Sequence, residues 1–226
     1  MKLSVIIPCF SEAEHIEQVL DAVRAVDIEK EIIVVDDGST DRTAGILDEY
    51  SRHHPIVIHH SAKNSGKGSA IRTGLTYVTG DIVIIQDADM EYDPSQYPKM
   101  IQPIIEGEAN VVYGSRFKGS IKGMRMLNRI ANYILTCIAN LLYRAGITDE
   151  ATGYKAFRAD LIKSLPLECK RFEFCPEVTA KLRKRGIKIK EVPISYEARS
   201  AAQGKKIKWT DFFIAVWTLV KYRFKD

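Results

Sequence analysis

Three acidic side chains lie close together in the chain, at Asp87, Asp89 and Glu91. They follow the apolar run Asp81–Ile85, and alternate residues that leave a strand can place their carboxylates on one side. Carboxylate oxygens are the ligands that Mg²⁺ and Mn²⁺ prefer, and a site with few protein ligands leaves room for substrate phosphates. The pattern therefore predicts a metal site at these residues; the alternative is a solvated acidic loop.

A second acidic cluster, Asp36-Asp37-Gly38-Ser39, follows the apolar run Glu31–Val35. These residue types form turns, so one interpretation is a turn that leads into a helix. Two adjacent acids are more than a turn needs, however. A carboxylate here would accept the ring N–H of uracil or guanine, or the hydroxyls of a ribose.

The segment Gly66-Lys67-Gly68 looks at first like a phosphate-binding loop. A Walker A motif is excluded, because Ser61 stands where its first glycine should be and Gly68 follows the lysine. The remaining interpretations are a lysine that contacts substrate and a solvated lysine at the start of a helix.

Several basic residues could bind a phosphate, although each alone would be an ordinary surface charge. The short-side-chained segment 199–205 suits a loop that becomes ordered on a phosphate. The candidate anion contacts are Arg116, Arg125, Arg129, Arg199, Lys205 and Lys206.

The elements that must position these residues alternate along the first 115 residues. The predicted strands are Leu3–Ile7, Glu31–Val35, Ile56–Ile58, Asp81–Ile85 and Ala109–Tyr113, with helical stretches between them. Strands that are apolar throughout are typical of a parallel sheet covered by helices on both faces. Such sheets bind ligands at the carboxyl ends of their strands, where every polar cluster falls. The pattern predicts an α/β, Rossmann-like fold with a nucleotide-type site.

The second half is organised differently. We predict a long apolar helix over 124–145, a basic helix over 177–185, a strand over 188–193 and an amphipathic helix over 207–223. The last helix carries aromatic and basic residues, which suit a membrane interface, but packing on the sheet explains them equally well. We predict one domain over 1–226, with halves 1–115 and 116–226.

Composition excludes several classes of protein. With 226 residues, 46% of them hydrophobic and 27% charged, the chain is an ordinary folded protein. A net charge of +4 does not indicate nucleic acid binding. The four cysteines form no paired motif, and no apolar run is long enough to span a bilayer. We expect no leader before the first strand. We expect a cytoplasmic protein.

The motifs together resemble family-2 glycosyltransferases of the GT-A fold, in particular the branch of dolichyl-phosphate mannosyltransferases and polyprenyl-phosphate glycosyltransferases. The likeness covers nearly the whole chain. It rests on the segments Pro8–Glu12, Val35–Asp41, Asn64–Gly68, Asp87–Asp89, Gly114–Arg116, Thr152–Lys155 and Arg199–Lys205.

The resemblance implies one catalytic domain, in which residues 1–115 form the nucleotide-sugar half and residues 116–226 form the acceptor-side half. It also implies a role for individual residues. Asp87, Asp89 and Glu91 would hold the metal, and Asp89, Arg116 and Arg199 would be the catalytic residues. The substrate-binding residues would be Pro8, Phe10, Glu12, Val35, Asp37, Asn64, Lys67, Asp87, Ala88, Arg125, Arg129 and Lys205. The sequence departs from the family at Ser11, usually Asn, and at Glu91, often Gln.

The expected reaction is an inverting transfer of a hexose from a GDP- or UDP-sugar to a polyprenyl or dolichyl phosphate, with Mg²⁺ or Mn²⁺. The enzyme would contact the inner face of the membrane peripherally, as a homo-oligomer or with a separate membrane-anchor subunit. The alternative enzyme transfers to a sugar hydroxyl and needs a carboxylate base, for which Asp149 and Glu177 are candidates. A non-catalytic nucleotide-sugar-binding scaffold is the alternative outside enzymes.

Overall fold

The computed structural model describes residues 1–199 and 209–225, so the predicted phosphate contacts Lys205 and Lys206 lie outside the described residues. The described strands are β1 (Leu3–Cys9), β2 (Lys30–Asp36), β3 (Val57–His60), β4 (Ile82–Ile85), β5 (Val111–Lys122), β6 (Lys155–Arg158) and β7 (Lys190–Glu197). The described helices are α1 (Ile16–Ala25), α2 (Thr43–His53), α3 (Lys67–Leu75), α4 (Tyr97–Ile105), α5 (Met126–Tyr143), α6 (Ala159–Ser164), α7 (Phe174–Lys184) and α8 (Trp209–Phe224).

These strands form one sheet in the order β3-β2-β1-β4-β6-β5-β7. β1 is parallel to β2 and β4, β2 is parallel to β3, and β5 is parallel to β7. The predicted mostly parallel α/β sheet is therefore confirmed. β6, which we did not predict, lies antiparallel between β4 and β5. Its four residues begin with a lysine and end with an arginine, so they carry no extended apolar pattern.

Helices cover both faces of the sheet, as the apolar strands predicted. One core cluster packs β1 and β2 against α3, α5, α7 and α8, through residues such as Ile33, Leu135 and Leu219. The other packs the opposite face of the same strands against α1, α2 and α4, through residues such as Val5 and Ile101. β1, β4 and most of β2 are buried on both sides, which explains why their consecutive residues are mostly apolar.

β5 is longer than predicted and changes the position of one candidate. We placed Arg116 after a strand that ends at Tyr113, but β5 continues to Lys122 and contains Arg116. The apolar run stops at Tyr113 because Gly114, Ser115 and Arg116 follow, which are buried although two of them are polar; pairing with β7 continues as far as Lys122. β5 therefore crosses the predicted boundary between residues 115 and 116, and its far end lies beside the end of β7.

Candidate active site

The loops that follow β1, β2 and β4 meet at one edge of the sheet, because these strands are parallel neighbours. The main chain joins the first two loops directly: the N–H of Asp37 donates to the carbonyl of Cys9 at 2.8 Å. Glu12 and Asp37 are both buried there, with exposed fractions of 8% and 3%. Acidic side chains that are far apart in sequence are thus brought to one corner, as predicted.

Asp37 binds protein donors within this corner. Its carboxylate accepts hydrogen bonds from the N–H groups of Ser65, at 2.9 Å, and Gly66, at 2.6 Å. It therefore fixes the loop that leads into α3. This structural role was not evident from the sequence, where the carboxylate was predicted to bind a nucleoside. Both roles are compatible, since an ionised carboxylate can accept several hydrogen bonds.

Four other predicted substrate-binding residues differ in how accessible they are. Val35 is fully buried in the core, where it lies close to Gly74 of α3, so a ligand could reach only its main chain. Pro8 is also buried, within β1. Phe10 is half-buried and Asn64 is exposed. Phe10 and Asn64 are therefore the members of this group whose side chains a ligand could reach.

Asp87 forms an ion pair with Lys67, the first residue of α3. Both side chains are partly buried, with about a fifth of each exposed: 21% for Lys67 and 19% for Asp87. The second carboxylate oxygen of Asp87 faces Gly153, where an added Cβ would lie only 2.8 Å away. A side chain at 153 would therefore have to displace this carboxylate.

Arg199 connects Asp89 to Glu12 across the corner. Its Nη2 lies 2.7 Å from Oδ2 of Asp89, and its Nη1 lies 3.1 Å from Oε2 of Glu12. Its main-chain N–H donates to Glu91 at 2.9 Å, and Tyr196 Oη donates to the other oxygen of Glu91, also at 2.9 Å. One arginine at the end of β7 therefore contacts carboxylates from two other segments of the chain.

The electrostatic environment of Asp89 is unusual for an aspartate. Burial, and then the nearby charges of Asp87 and Glu91, raise the pKa of Asp89 to about 7. The positive charge of Arg199 acts in the opposite direction without cancelling these effects. Repelling carboxyl groups in a buried corner favour a bound cation. Carboxylate oxygens also have the chemistry that Mg²⁺ and Mn²⁺ prefer.

The three predicted metal ligands nevertheless have different partners. Asp87 pairs with Lys67, Asp89 with Arg199, and Glu91 with Tyr196 and the N–H of Arg199. Over residues 1–199 and 209–225, no group of three or more His, Cys, Asp or Glu side chains is arranged to hold a metal ion. The metal assignment therefore stays a prediction, and Asp87 and Asp89 would need further ligands from substrate.

Arg116, a predicted catalytic residue, forms a buried ion pair. Its Nε and Nη2 bind the two carboxylate oxygens of Asp149, at 2.7 and 2.8 Å. Arg116 is 5% exposed and Asp149 is fully buried, and the guanidinium lies over the ring of Tyr196 with its carbon 5.1 Å from the centroid. Two of its three guanidinium nitrogens thus bind protein, so the phosphate contact predicted for Arg116 remains a hypothesis.

The two arginines at the start of α5 lie closer to solvent. Arg125 is exposed just before the helix, and Arg129 is half-buried one turn later. Within the described residues, the Nε atoms of Arg129 and Arg199 are buried without a hydrogen-bond partner. The end of β5 brings these arginines near Arg199, because the N–H of Ala198 donates to the carbonyl of Lys122 at 3.0 Å. Guanidinium groups with unused donors are suited to an anion.

Lys155 supports the loop over Asp87, although no role was predicted for it from the sequence. The residue is fully buried, and its ammonium donates to the carbonyls of Glu150, at 2.9 Å, and Thr152, at 2.5 Å. Tyr92 Oη also accepts from the N–H of Gly153 at 3.0 Å. The motif Thr152–Lys155 was a sequence signal of importance, but main-chain contacts of this kind cannot be read from residue types.

The family model that matches the chain is Glycosyl transferase family 2, over residues 4–165. The UDP-N-acetylglucosamine–dolichyl-phosphate N-acetylglucosaminyltransferase of Methanococcus voltae is 34% identical over 90% of the chain and 89% of its own length. The undecaprenyl-phosphate mannosyltransferase of Micrococcus luteus is 28% identical over 91% of the chain and 87% of its length. The dolichol-phosphate mannosyltransferase of Pyrococcus furiosus is 30% identical over 91% of the chain, which spans only 59% of that relative.

A similar solved structure is glucosyl-3-phosphoglycerate synthase of Mycobacterium tuberculosis, crystallised with Mn²⁺, UDP and glucosyl-3-phosphoglycerate. It superposes with a TM-score of 0.73 at 23% identity, over 98% of the chain and 78% of that structure. The agreement over nearly the whole described chain supports the GT-A fold expected from the sequence.

Proposed function

The chain belongs to glycosyl transferase family 2, and from that premise we propose that it transfers a hexose from a GDP- or UDP-sugar to a polyprenyl or dolichyl phosphate. The relatives named above act, by name, on dolichyl or undecaprenyl phosphate. One structural observation carries the proposal: Arg199 contacts both Glu12 and Asp89, beside the arginines of α5. Acidic groups for a donor complex and basic groups for phosphates thus lie together.

Asp87 and Asp89 are the residues that would hold Mg²⁺ or Mn²⁺, with phosphate oxygens of the donor completing the ligand set. A divalent cation bound there would supply positive charge that stabilises the departing diphosphate. The raised pKa of Asp89 is consistent with a cation-binding site, because a bound positive charge would reduce the repulsion among Asp87, Asp89 and Glu91. Both oxygens of Glu91 accept hydrogen bonds from protein, and so do both oxygens of Asp89, so a cation would compete with protein donors at each of these residues.

The chain's own residues would align two anions that repel each other. Arg125, Arg129 and Arg199 would neutralise the acceptor phosphate and the donor diphosphate, and so hold them within reach of each other. A phosphate monoester is already an anion at neutral pH and attacks without a strong base. The reaction is a single displacement, in which the phosphate oxygen forms the new bond to the sugar as the bond to the diphosphate breaks, with inversion.

The alternative acceptor, a sugar hydroxyl, requires a carboxylate base, and both candidates are bound in the interior. Asp149 accepts three hydrogen bonds from Arg116, one from its main-chain N–H and two from its guanidinium group. Glu177 is fully buried and accepts from the N–H groups of Glu168 and Cys169, each at 2.7 Å. Neither carboxylate is in a position to take a proton from a substrate. This observation favours a phosphate acceptor.

Peripheral membrane contact is part of the proposal. No helix in residues 1–199 and 209–225 is long and apolar enough to cross a bilayer. Two helices that pack against each other, α5 and α8, nevertheless expose large apolar side chains. These side chains are Met126, Leu127, Ile130, Tyr133, Ile134 and Leu141 on α5, and Trp209, Phe213, Ile214, Trp217 and Phe224 on α8. We call them the α5–α8 apolar surface.

Basic residues flank the α5–α8 apolar surface. Lys122 and Arg125 precede α5 and are exposed, and Arg223 and Lys225 are exposed near the end of α8. Apolar side chains bordered by cations are suited to the surface of an anionic bilayer. Because the first turn of α5 also lies near Arg199, a protein bound in this way would hold its candidate site close to lipid phosphates at the inner face of the membrane.

The test is a transfer assay with radiolabelled UDP- and GDP-sugars, Mn²⁺ or Mg²⁺, and a short polyprenyl phosphate. We expect a labelled lipid product with one class of donor, and none when the acceptor is a free glycan. Transfer to the glycan alone would favour the alternative enzyme. Neither transfer nor hydrolysis with any donor would indicate a non-catalytic binding protein.

A further inference from the structure

The two aspartates of the Asp87-Ala88-Asp89 motif are each paired with a cation that belongs to the protein. Lys67 binds Asp87, and Arg199 binds Asp89 and Glu12. Glu91 joins the same group through the main chain of Arg199. With all four carboxyl groups ionised, the described part of this cluster has four negative charges and two positive ones. Lys67 and Arg199 together carry two positive charges, which is the charge of one divalent cation.

The backbone of Lys67 is held in a fixed position beside Asp87. The residue before it, Gly66, has a φ of +97°, and a Cβ there would lie 2.4 Å from the carbonyl oxygen of Lys170. The N–H of Gly68, on its other side, donates to the carbonyl of Arg171 at 3.0 Å. The backbone around Lys67 is thus fixed by contacts with the 170–171 segment. Only the side chain of Lys67 is able to change partners without moving α3.

Arg199 differs in being held mainly by the acidic residues themselves. Its guanidinium contacts Glu12 and Asp89, its N–H contacts Glu91, and its Nε has no hydrogen-bond partner within the described residues. If the carboxylates bound another cation, the ion pairs that hold the guanidinium in place would weaken. Both cations could then turn to a nearby anion, which in a family-2 glycosyltransferase is the donor diphosphate.

We propose that Lys67 and Arg199 are exchangeable counter-ions, which occupy the carboxylates of the donor-free enzyme and move to the donor diphosphate when a divalent cation replaces them. This inference rests on the proposed function, because it assumes a metal and a diphosphate at this corner. It adds that the two ligands bind cooperatively. A metal alone must displace two ion pairs, whereas a metal that arrives with a diphosphate supplies new partners for the displaced cations.

The proposal predicts effects of opposite sign in one variant. Lys67→Met removes the ammonium but keeps most of the side-chain length. We expect its affinity for Mn²⁺ alone to rise by roughly tenfold, because removing a nearby positive charge favours a cation. We expect its affinity for the Mn²⁺–pyrophosphate complex to fall by a similar factor, because a contact to the anion is lost. The measurements are electron paramagnetic resonance of free Mn²⁺ and calorimetry with preformed complex, without sugar or lipid.

Three further variants make the result decisive. Lys67→Arg keeps the charge and should bind Mn²⁺ like the wild type. Lys63→Met removes an exposed lysine four residues earlier and should leave both affinities unchanged. Arg199→Gln should repeat the opposite-sign pattern, which provides a second test if Lys67→Met does not fold.

The outcomes separate this inference from the proposed function. Suppose that wild type binds Mn²⁺, and that Lys67→Met binds Mn²⁺ and the Mn²⁺–pyrophosphate complex either as tightly as wild type or not at all. Lys67 is then a structural residue and the proposed exchange is wrong, although the glycosyltransferase proposal stands. If no form of the protein binds Mn²⁺ with or without pyrophosphate, the metal site itself is wrong and both proposals lose their basis.

Discussion

At the scale of single residues, the candidate site contains more acidic side chains than basic side chains that pair with them. Arg199 alone contacts Glu12, Asp89 and, through its main chain, Glu91. Asp89 is the acid in this group with the strongest electrostatic perturbation, because it is 6% exposed and close to two other carboxyl groups. A residue in this environment is expected to respond strongly to any change in local charge.

Replacing Asp89 by Asn should remove this negative charge with almost no change of shape. We expect turnover with the preferred donor and lipid phosphate to fall by roughly 10² or more, the scale of losing a key electrostatic element. The measurement is kcat for formation of the labelled lipid at saturating Mn²⁺, with circular dichroism to check the fold.

The matched control is Asp160→Asn. Asp160 is an exposed carboxylate on α6 that pairs with Arg158 of β6. This variant should keep wild-type turnover. Turnover of Asp89→Asn near that of the wild type would remove Asp89 from the catalytic residues.

At the scale of secondary-structure elements, one acidic residue joins the starts of two strands to the turn before a third. Glu31, in β2, accepts hydrogen bonds from Lys2 at 2.7 Å, from Ser4 of β1 at 2.5 Å and from the N–H of Thr79 at 2.7 Å. These donors lower the pKa of Glu31 to about 2, despite the opposing effect of its burial. Glu31 thus stabilises the end of the sheet opposite the candidate site, which lies at the carboxyl ends of the strands.

A lowered pKa makes this stabilisation dependent on pH. The contribution of Glu31 is complete above its unfolded pKa of about 4.5 and is lost as the pH falls towards its folded pKa of about 2. We expect Glu31→Gln to lower the free energy of unfolding by about 2 kcal/mol at pH 7. The difference from wild type should shrink between pH 4.5 and pH 3 in urea titrations.

Glu49→Gln is the control for Glu31→Gln, because Glu49 is an exposed acid that pairs with Arg52 on the surface of α2. It should change stability little at any pH. A constant difference between Glu31→Gln and wild type across the acid range would mean that the charge of Glu31 does not contribute.

At the scale of the whole molecule, the two faces of the sheet are covered by helices of different character. The face with α1, α2 and α4 is covered by helices whose apolar residues are mostly buried, apart from Ile105 at the end of α4. The α5–α8 apolar surface lies on the other face and has no comparable cover in the described residues. Leu127 is 78% exposed and Trp217 is 65% exposed.

Membrane binding should depend on this surface. We expect the double variant Leu127→Gln with Trp217→Gln to bind phosphatidylcholine vesicles that contain phosphatidylglycerol at least roughly tenfold more weakly than wild type, because two large apolar side chains no longer enter the interface. Binding of wild type should weaken when phosphatidylglycerol is omitted or salt is raised. Vesicle sedimentation measures both effects.

Ile105→Gln, on the opposite face, should bind vesicles like the wild type. If instead the double variant binds normally while the wild type is a dimer that the substitutions dissociate, the surface is an interface between two copies of the chain. Loss of vesicle binding in both variants would indicate a general effect on folding.

The sequence by itself determined the α/β class, the parallel order of the early strands and the family. The physical reason is local: apolar runs identify strands buried on both faces, and parallel strands bring their following loops to one edge. Asp37, Asp89 and Glu12 could therefore be assigned to one corner without coordinates. Lys67 could also be placed near that corner, although not its partner.

Only the tertiary structure decided which acidic and basic side chains form ion pairs with each other. The pairing of Arg116 with Asp149, of Lys67 with Asp87 and of Arg199 with Asp89 joins residues 33, 20 and 110 positions apart, and no local pattern encodes such distances. β6 was missed for the same reason, because it forms a strand by pairing with β4 and β5, which lie far from it in the chain. Contacts between distant segments depend on how the whole chain packs, and residue types alone do not specify that packing.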